Sequence, residues 1–172
     1  MTRTEIETEI RDLLAKLGQP DPTWTLDHAP RGDGTPHAEG DGPFYELVVD
    51  ADGAEISREA VDGYEMIYQI MFRRTRAIAM AEEERHRITT PPVWLGKLGT
   101  RLPDRLAGLI GSTNYSRVTW IDAHVRLMDH LRGDWGARAK SEHDCMLRRY
   151  PLTRDERAHF LKLDLRAYGV GR

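Results

Sequence analysis

Ile6, Ile10, Leu13, Leu14 and Leu17 recur every three or four positions, so the apolar pattern at the start of the chain predicts an amphipathic helix over about 5–17. Thr4 followed by Glu7 offers a capping box at its start, and Gly18 stops it. The period then changes. Trp24 and Leu26 suggest a short strand, and the sixteen residues 28–43, crowded with Gly, Pro, Asp and Glu, read as a loop. "PFYELVVDADGAEISREAV" follows, with β-prone residues on both sides of Asp52-Gly53, a pair suited to a type I′ turn. The expected hairpin spans about 44–60 and sets Val49 across from Ile56.

A helical period returns after Asp62, an N-cap with Glu65 in the third helical position. Tyr64, Ile67, Tyr68, Met71 and Ile78 then mark the stripe of a long helix over about 63–87. Residues 89–116 form an irregular, Pro- and Gly-rich insert in which Leu102, Leu106, Leu109 and Ile110 hint at a short helix. Ser116 stands as the cap of another helix, with Val118, Ile121, Val125, Met128 and Leu131 on one face until Gly133. A shorter helix is expected over 134–149. Thr153 and Glu156 repeat the capping box before a final helix carrying Phe160, Leu161, Leu165 and Tyr168 to Gly169. Helix, a few strands, then helices is the order of an α+β fold, with a small antiparallel sheet and helices packed mainly on one face. At 172 residues the chain is expected to form one domain, with a flexible acidic loop over 28–43.

The formal net charge of −3 hides an asymmetry. Residues 1–100 hold 11 Lys/Arg against 19 Asp/Glu, and residues 101–172 hold 14 against 9. From Asp27 to Glu55 there are eight acidic side chains and one arginine, a stretch that repels nucleic acid and anionic membrane and attracts a basic protein surface. No apolar run is long enough for a membrane span, and Met1 leads into a charged helix, so the expected location is the cytoplasm. Loops as long as 28–43 are either functional or disordered.

A search for catalytic chemistry yields little. Ser112, in "IGSTN", lacks the flanking glycines of a nucleophile elbow, and "GKLGT" is not a phosphate-cradling loop. The seven histidines are scattered. Asp122 with His124, and His143 with Cys145, lie two apart, where helical side chains diverge, so no metal site is expected. A single cysteine, Cys145, excludes an internal disulfide and reads as a buried or half-buried thiol. Glu82 to Arg87 pair at helical spacing as a solvated face. The basic residues of the C-terminal part alternate with Asp144, Asp155 and Glu156, so no stripe for nucleic acid forms. Trp120 and Trp135, with Arg117 and Arg126, suit either a closed core or the anchors of a protein interface.

Three stretches carry a likeness. The hairpin "FYELVVDADGAEISREA", the helix "DGYEMIYQIMFRRTRAIAMAEEER", and "YSRVTWIDAHVRLMDHLRGDW" with "YPLTRDERA" after it occur in an order that resembles the immunity proteins of bacterial polymorphic toxin systems, in the related families immunity protein 61 and immunity protein 63. The likeness covers about 44–158. It implies an α+β protein without catalysis or cofactor of its own, whose partner is a cognate toxin domain, an NAD-degrading enzyme or a nuclease. In that pattern Arg117 and Trp120 fill a charged position followed by an aromatic, and Trp135 ends the helical unit.

Sequence and resemblance together make Asp33, Glu39 and Asp41 candidate toxin contacts, with Tyr45 and the hairpin as support. Arg117, Trp120 and Trp135 are alternative interface anchors. Two other classes stay open: a cytoplasmic secretion chaperone or adaptor, which would leave its partner active, and a small enzyme using groups such as His124 with Asp122, which would need a deep polar pocket.

Overall fold

Two Thr-x-x-Glu patterns compete at the N-terminus, and Thr2 with Glu5 wins, so the computed structural model starts helix α1 two residues early, at Arg3–Lys16. Glu7, freed from capping, accepts from the backbone of Leu26 instead. The structure describes residues 1–30, 33–40, 44–90 and 112–171. The chain leaves α1 through Gly18, whose φ of +68° favours glycine.

Trp24 and Leu26 do not form a strand. Their carbonyls accept from Arg11 and Arg3 on α1, so side chains occupy the groups a sheet neighbour would use. The strand lies further on. Within the stretch read as a loop, β1 (Asp33–Glu39) pairs antiparallel with β2 (Tyr45–Ala51), which pairs with β3 (Ala54–Val61), in the order β1-β2-β3. Pro36 is tolerated because β1 is an edge strand, and Ala38 binds back through its N–H to the carbonyl of Asp27. Asp52 and Gly53 both have positive φ, as a type I′ turn requires. A register shift follows, so Val49 faces Ser57 rather than Ile56, and Ile56 is left 65% exposed.

Asp62 caps α2 (Gly63–Arg85), which runs under the sheet. Ile88, on the way to the short pair β4 (Thr89–Thr90) and β5 (Ser112–Thr113), bonds to Asn114 at the chain's return. The expected helix over 102–110 lies outside the described residues. α3 (Arg117–Leu131) and α4 (Gly133–Arg149) meet at Arg132, which caps both. Ser116 occupies the N-cap of α3, but its hydroxyl donates to the carbonyl of Glu156 instead of capping. α3 packs between α2 and α4, so its buried arc runs through Trp120, Ala123, His124, Leu127, Met128 and Leu131; of the expected stripe Met128 and Leu131 are buried, and Val118, Ile121 and Val125 are only half buried.

The predicted last helix is short. Thr153 and Glu156 make the capping box, yet α5 covers only Arg154–Ala158. Beyond it Leu163 and Leu165 enter the core at a spacing of two, an extended pattern. The N–H of Leu161 donates to Thr119, and the carbonyl of Leu163 accepts from Arg126, so α3 takes over backbone bonds a helix would have made internally. In the apolar part of the core Ile6, Ile10, Leu14 and Leu17 from α1 join Met66, Met71 and Ile78 from α2 and Leu127 and Met128 from α3. Lys16 donates to the carbonyl of Leu131 at 2.8 Å, and Arg132 pairs with Glu9, fastening α1 to the α3–α4 elbow. This is the α+β arrangement with a small antiparallel sheet that the sequence predicts. No helix among the described residues is long and apolar enough to cross a membrane.

Candidate functional site: an acidic sheet face

Alternation along β2 divides the sheet into two faces. Tyr45 and Leu47 point into the core with Ala38 and Val61, and Glu46, Val48 and Asp50 point the other way. On that outer face His37, Val48 and Arg58 form one cross-strand row, and Glu39, Glu46 and Ala60 the next. Two glutamates directly opposite each other repel. Arg58 offsets this: one of its terminal nitrogens donates to Glu39 Oε2 at 2.7 Å and also to Glu46, and the other donates to Glu55 Oε2 at 2.9 Å. One guanidinium thus fixes three carboxylates, and the cluster keeps an excess of two negative charges.

His37, 1% exposed, lies beneath this cluster, with Nε2 at 3.2 Å from Glu39 Oε1 and Nδ1 at 3.5 Å from Asp50 Oδ2. Hydrogen bonds from Arg58, and then from His37, hold the Glu39 carboxyl below its ordinary pKa, and the three carboxylates raise Arg58. Glu39 and Arg58 therefore hold each other in the charged form. The face carries anionic acceptors on hairpin backbone, an arrangement that recognises cationic side chains.

Glu39 belongs to the cluster and is 41% exposed at its side chain. Asp33 stands in β1 opposite Ala51, and Asp41 lies outside the described residues. Tyr45 is buried, its hydroxyl donating to the carbonyl of Met1, so it supports the hairpin from below. Glu46, Glu55 and Arg58 escaped the sequence reading, although strand alternation across the Asp52-Gly53 turn gathers charged residues on one face.

The alternative anchors are interior. Trp135 is fully buried, donating from Nε1 to Tyr64, which donates in turn to Asp134. Trp120 is also buried, and Arg76 lies over its ring. Arg117 pairs with Glu156 and donates to the carbonyls of Tyr150 and Pro151, tying α5 to α3. None of the three offers a side chain ready for a partner. Cys145, contrary to expectation, is exposed on α4. Glu82 and Glu83, read as solvated, are buried: Glu82 accepts from Tyr168 and Arg85, and Glu83 from Arg87.

A second histidine feature also escaped the sequence reading. His124 and His143, on neighbouring helices, place Nδ1 and Nε2 2.7 Å apart in the core. Rings continue on either side, from Trp120, 5.4 Å from His143, to Phe72, 4.5 Å from His124, and on through Tyr68 to Trp135. Burial first, then the neighbouring His143 and Arg76, lowers His124 to a pKa of about 3. Burial and Arg76, opposed by Asp144, lower His143 to about 4. Both are neutral at pH 7. A hydrogen bond to the backbone of Phe72 opposes the fall at His124 without reversing it. The pair is a closed internal contact, sealed from substrate. No group of three or more His, Cys, Asp or Glu among the described residues has the arrangement to hold a metal ion.

The family model of immunity protein 63 matches residues 41–145. The match contains β2, β3, α2, α3 and most of α4, and with them Glu46, Glu55 and Arg58 of the acidic face. No curated protein and no solved structure matches the chain. With more than half its length matched, including the hairpin and the helices beneath it, the chain belongs to the immunity protein 63 family.

Proposed function

We propose that this protein binds a cognate toxin domain in the cytoplasm of the cell that makes both, and neutralises it by laying the acidic sheet face over the toxin's active site. The carrying observation is the Arg58 cluster, where Glu39, Glu46 and Glu55 stand exposed and fixed on a hairpin. A toxin that consumes NAD or nucleic acid needs a basic cleft for its phosphate-bearing substrate, and the acidic face is complementary to one. Long-range attraction would speed the encounter, and fixed carboxylates would then meet the cleft's cations without first being ordered. Asp33 and Asp41, close in sequence to Glu39, are proposed to add to the same negative charge. On this reading the protein has no catalytic step of its own.

The test is co-expression with the toxin-like protein encoded beside it, with pull-down and a growth assay. The wild-type chain should restore growth in a stoichiometric complex. Charge reversal by Glu39→Lys, Glu46→Lys and Glu55→Lys together should weaken binding at least about tenfold, the effect of losing about 1.4 kcal/mol. Unchanged affinity would remove the face from the mechanism. A complex without rescue would make the protein an escort and not an inhibitor.

A further inference from the structure

A second surface has the opposite sign. Between α2 and the segment joining α1 to β1 runs a groove of about 480 Å³, with Trp24, Ile70 and Met80 as its apolar wall and Arg73, Arg74 and Arg76 as its cationic one. Elsewhere arginines hold carboxylates, as Arg58, Arg117, Arg132 and Arg138 do. Among the described residues none of the three groove arginines makes an ion pair. Arg74 donates to the amide oxygen of Gln19 at 3.2 Å, and Arg76 lies 5.3 Å from the ring centre of Trp120. Partial desolvation of its guanidinium, and then the charge of Arg76, disfavour the cation at Arg73, opposed by Glu59, although the residue as a whole is exposed. Asp27 also lines the groove, leaving a local excess of two positive charges.

We propose that this groove receives an acidic segment of the toxin domain, a carboxylate beside an apolar side chain, so that the inhibitor grips its target at two places of opposite charge. The inference rests on the toxin-neutralising reading. An acidic occupant would relieve the repulsion within the arginine trio, and its apolar neighbour would cover Trp24 and Met80, which a hydrated inorganic anion would leave wet. Tryptophan, methionine and arginine are the residue types enriched at protein interfaces. The groove is also preformed, since Arg11 and Arg3 hold the carbonyls of Trp24 and Leu26, and Glu7 the N–H of Leu26. Two docking points of unlike sign fix orientation, because a rotated toxin would set like charges together at both.

The experiment uses the full chain in complex with its co-expressed toxin. Arg73→Lys keeps the charge and supplies an amine, so zero-length carbodiimide coupling, read by mass spectrometry, should join position 73 to an Asp or Glu of the toxin. Arg73→Glu with Arg74→Glu should raise Kd at least about tenfold, with thermal unfolding of the free chain unchanged because both side chains are exposed. A neutralising complex that shows neither the crosslink nor the loss of affinity overturns this inference and leaves the acidic face standing. A crosslink to a second copy of this chain assigns the groove to self-association and also overturns it. Failure of the wild-type chain to bind the toxin at all sinks both readings.

Discussion

Lowering the pH from 7 to 5 should remove about 2–4 kcal/mol of folding stability through His124 and His143 alone. Both have an ordinary pKa of 6.5 and are depressed on folding, to about 3 and about 4. Between those values the unfolded chain binds more protons than the folded one. The stability is therefore whole above pH 6.5 and is lost as pH falls through 6.5 towards the folded values. At 1.36 kcal/mol per pKa unit, one histidine titrating alone loses about 2 kcal/mol between pH 7 and pH 5; the 2.7 Å contact couples the two, so the pair loses between one and two such amounts. Against a total of about 5–15 kcal/mol for a domain this is a large share. The assay is urea unfolding at several pH values for the wild type and for His124→Leu with His143→Leu, which replaces both partners by apolar groups and leaves neither unsatisfied. Glu156, held at about 2 by Arg117 and Thr153 against an ordinary 4.5, loses its contribution only below the window. The double variant should flatten the curve between pH 7 and pH 5. Equal acid slopes in the two proteins would show that the buried pair does not carry the titration.

Trp135→Ala should cost about 3–5 kcal/mol in chemical unfolding, because a fully buried indole leaves a cavity, and Tyr64→Phe should cost closer to about 1 kcal/mol through the lost hydroxyl bridge. Gly136→Val should destabilise by about 1–3 kcal/mol, since a Cβ there would stand 2.6 Å from Asp129 Cβ at the tight α3–α4 elbow; a melting temperature equal to wild type would contradict that packing. Arg117→Ala should free α5 from α3, visible as faster amide exchange over residues 150–161 with little change in α1 or α2.

Helix α2 was legible because one apolar stripe met one cap at Asp62, and the Thr153 and Glu156 box marked the start of α5 but not its length. Legibility failed where tertiary partners took over local duties. β1 reads "DGTPHAE", with little strand propensity, and forms because β2 offers an edge and the carbonyl of Asp27 binds Ala38. The last segment abandons a helical pattern because Thr119 and Arg126 satisfy its backbone. The buried arc of α3 keeps Met128 and Leu131 of the expected stripe and turns towards Trp120 and His124 instead of Val118, Ile121 and Val125. Trp120, His124, Leu127 and Leu131 form a stripe as regular as the one chosen, and Trp135, Ala139 and His143 form its counterpart on α4. Admitting histidine to both stripes would have set His124 facing His143.

The candidate surfaces were less legible because what distinguishes them is pairing. Eight acidic residues over 27–55 announced a negative region, but neither the inclusion of Glu46 and Glu55 nor the retention of Arg58 as their common holder follows from counting charges. Arg73, Arg74 and Arg76 look in sequence like any solvated helical basic run, and so do Arg85 and Arg87 ten residues later. The structure separates them: Arg85 and Arg87 each find a glutamate one turn back, while the groove arginines have Met71, Phe72 and Ile70 where such partners would stand. A helix surface with glutamates at those positions would be internally satisfied and would have no electrostatic need of a partner. Installing one tests the idea in the reverse direction: Gln69→Glu would supply Arg73 with an i, i+4 carboxylate, and it should weaken toxin binding at the groove even though no arginine and no residue of the apolar wall is removed.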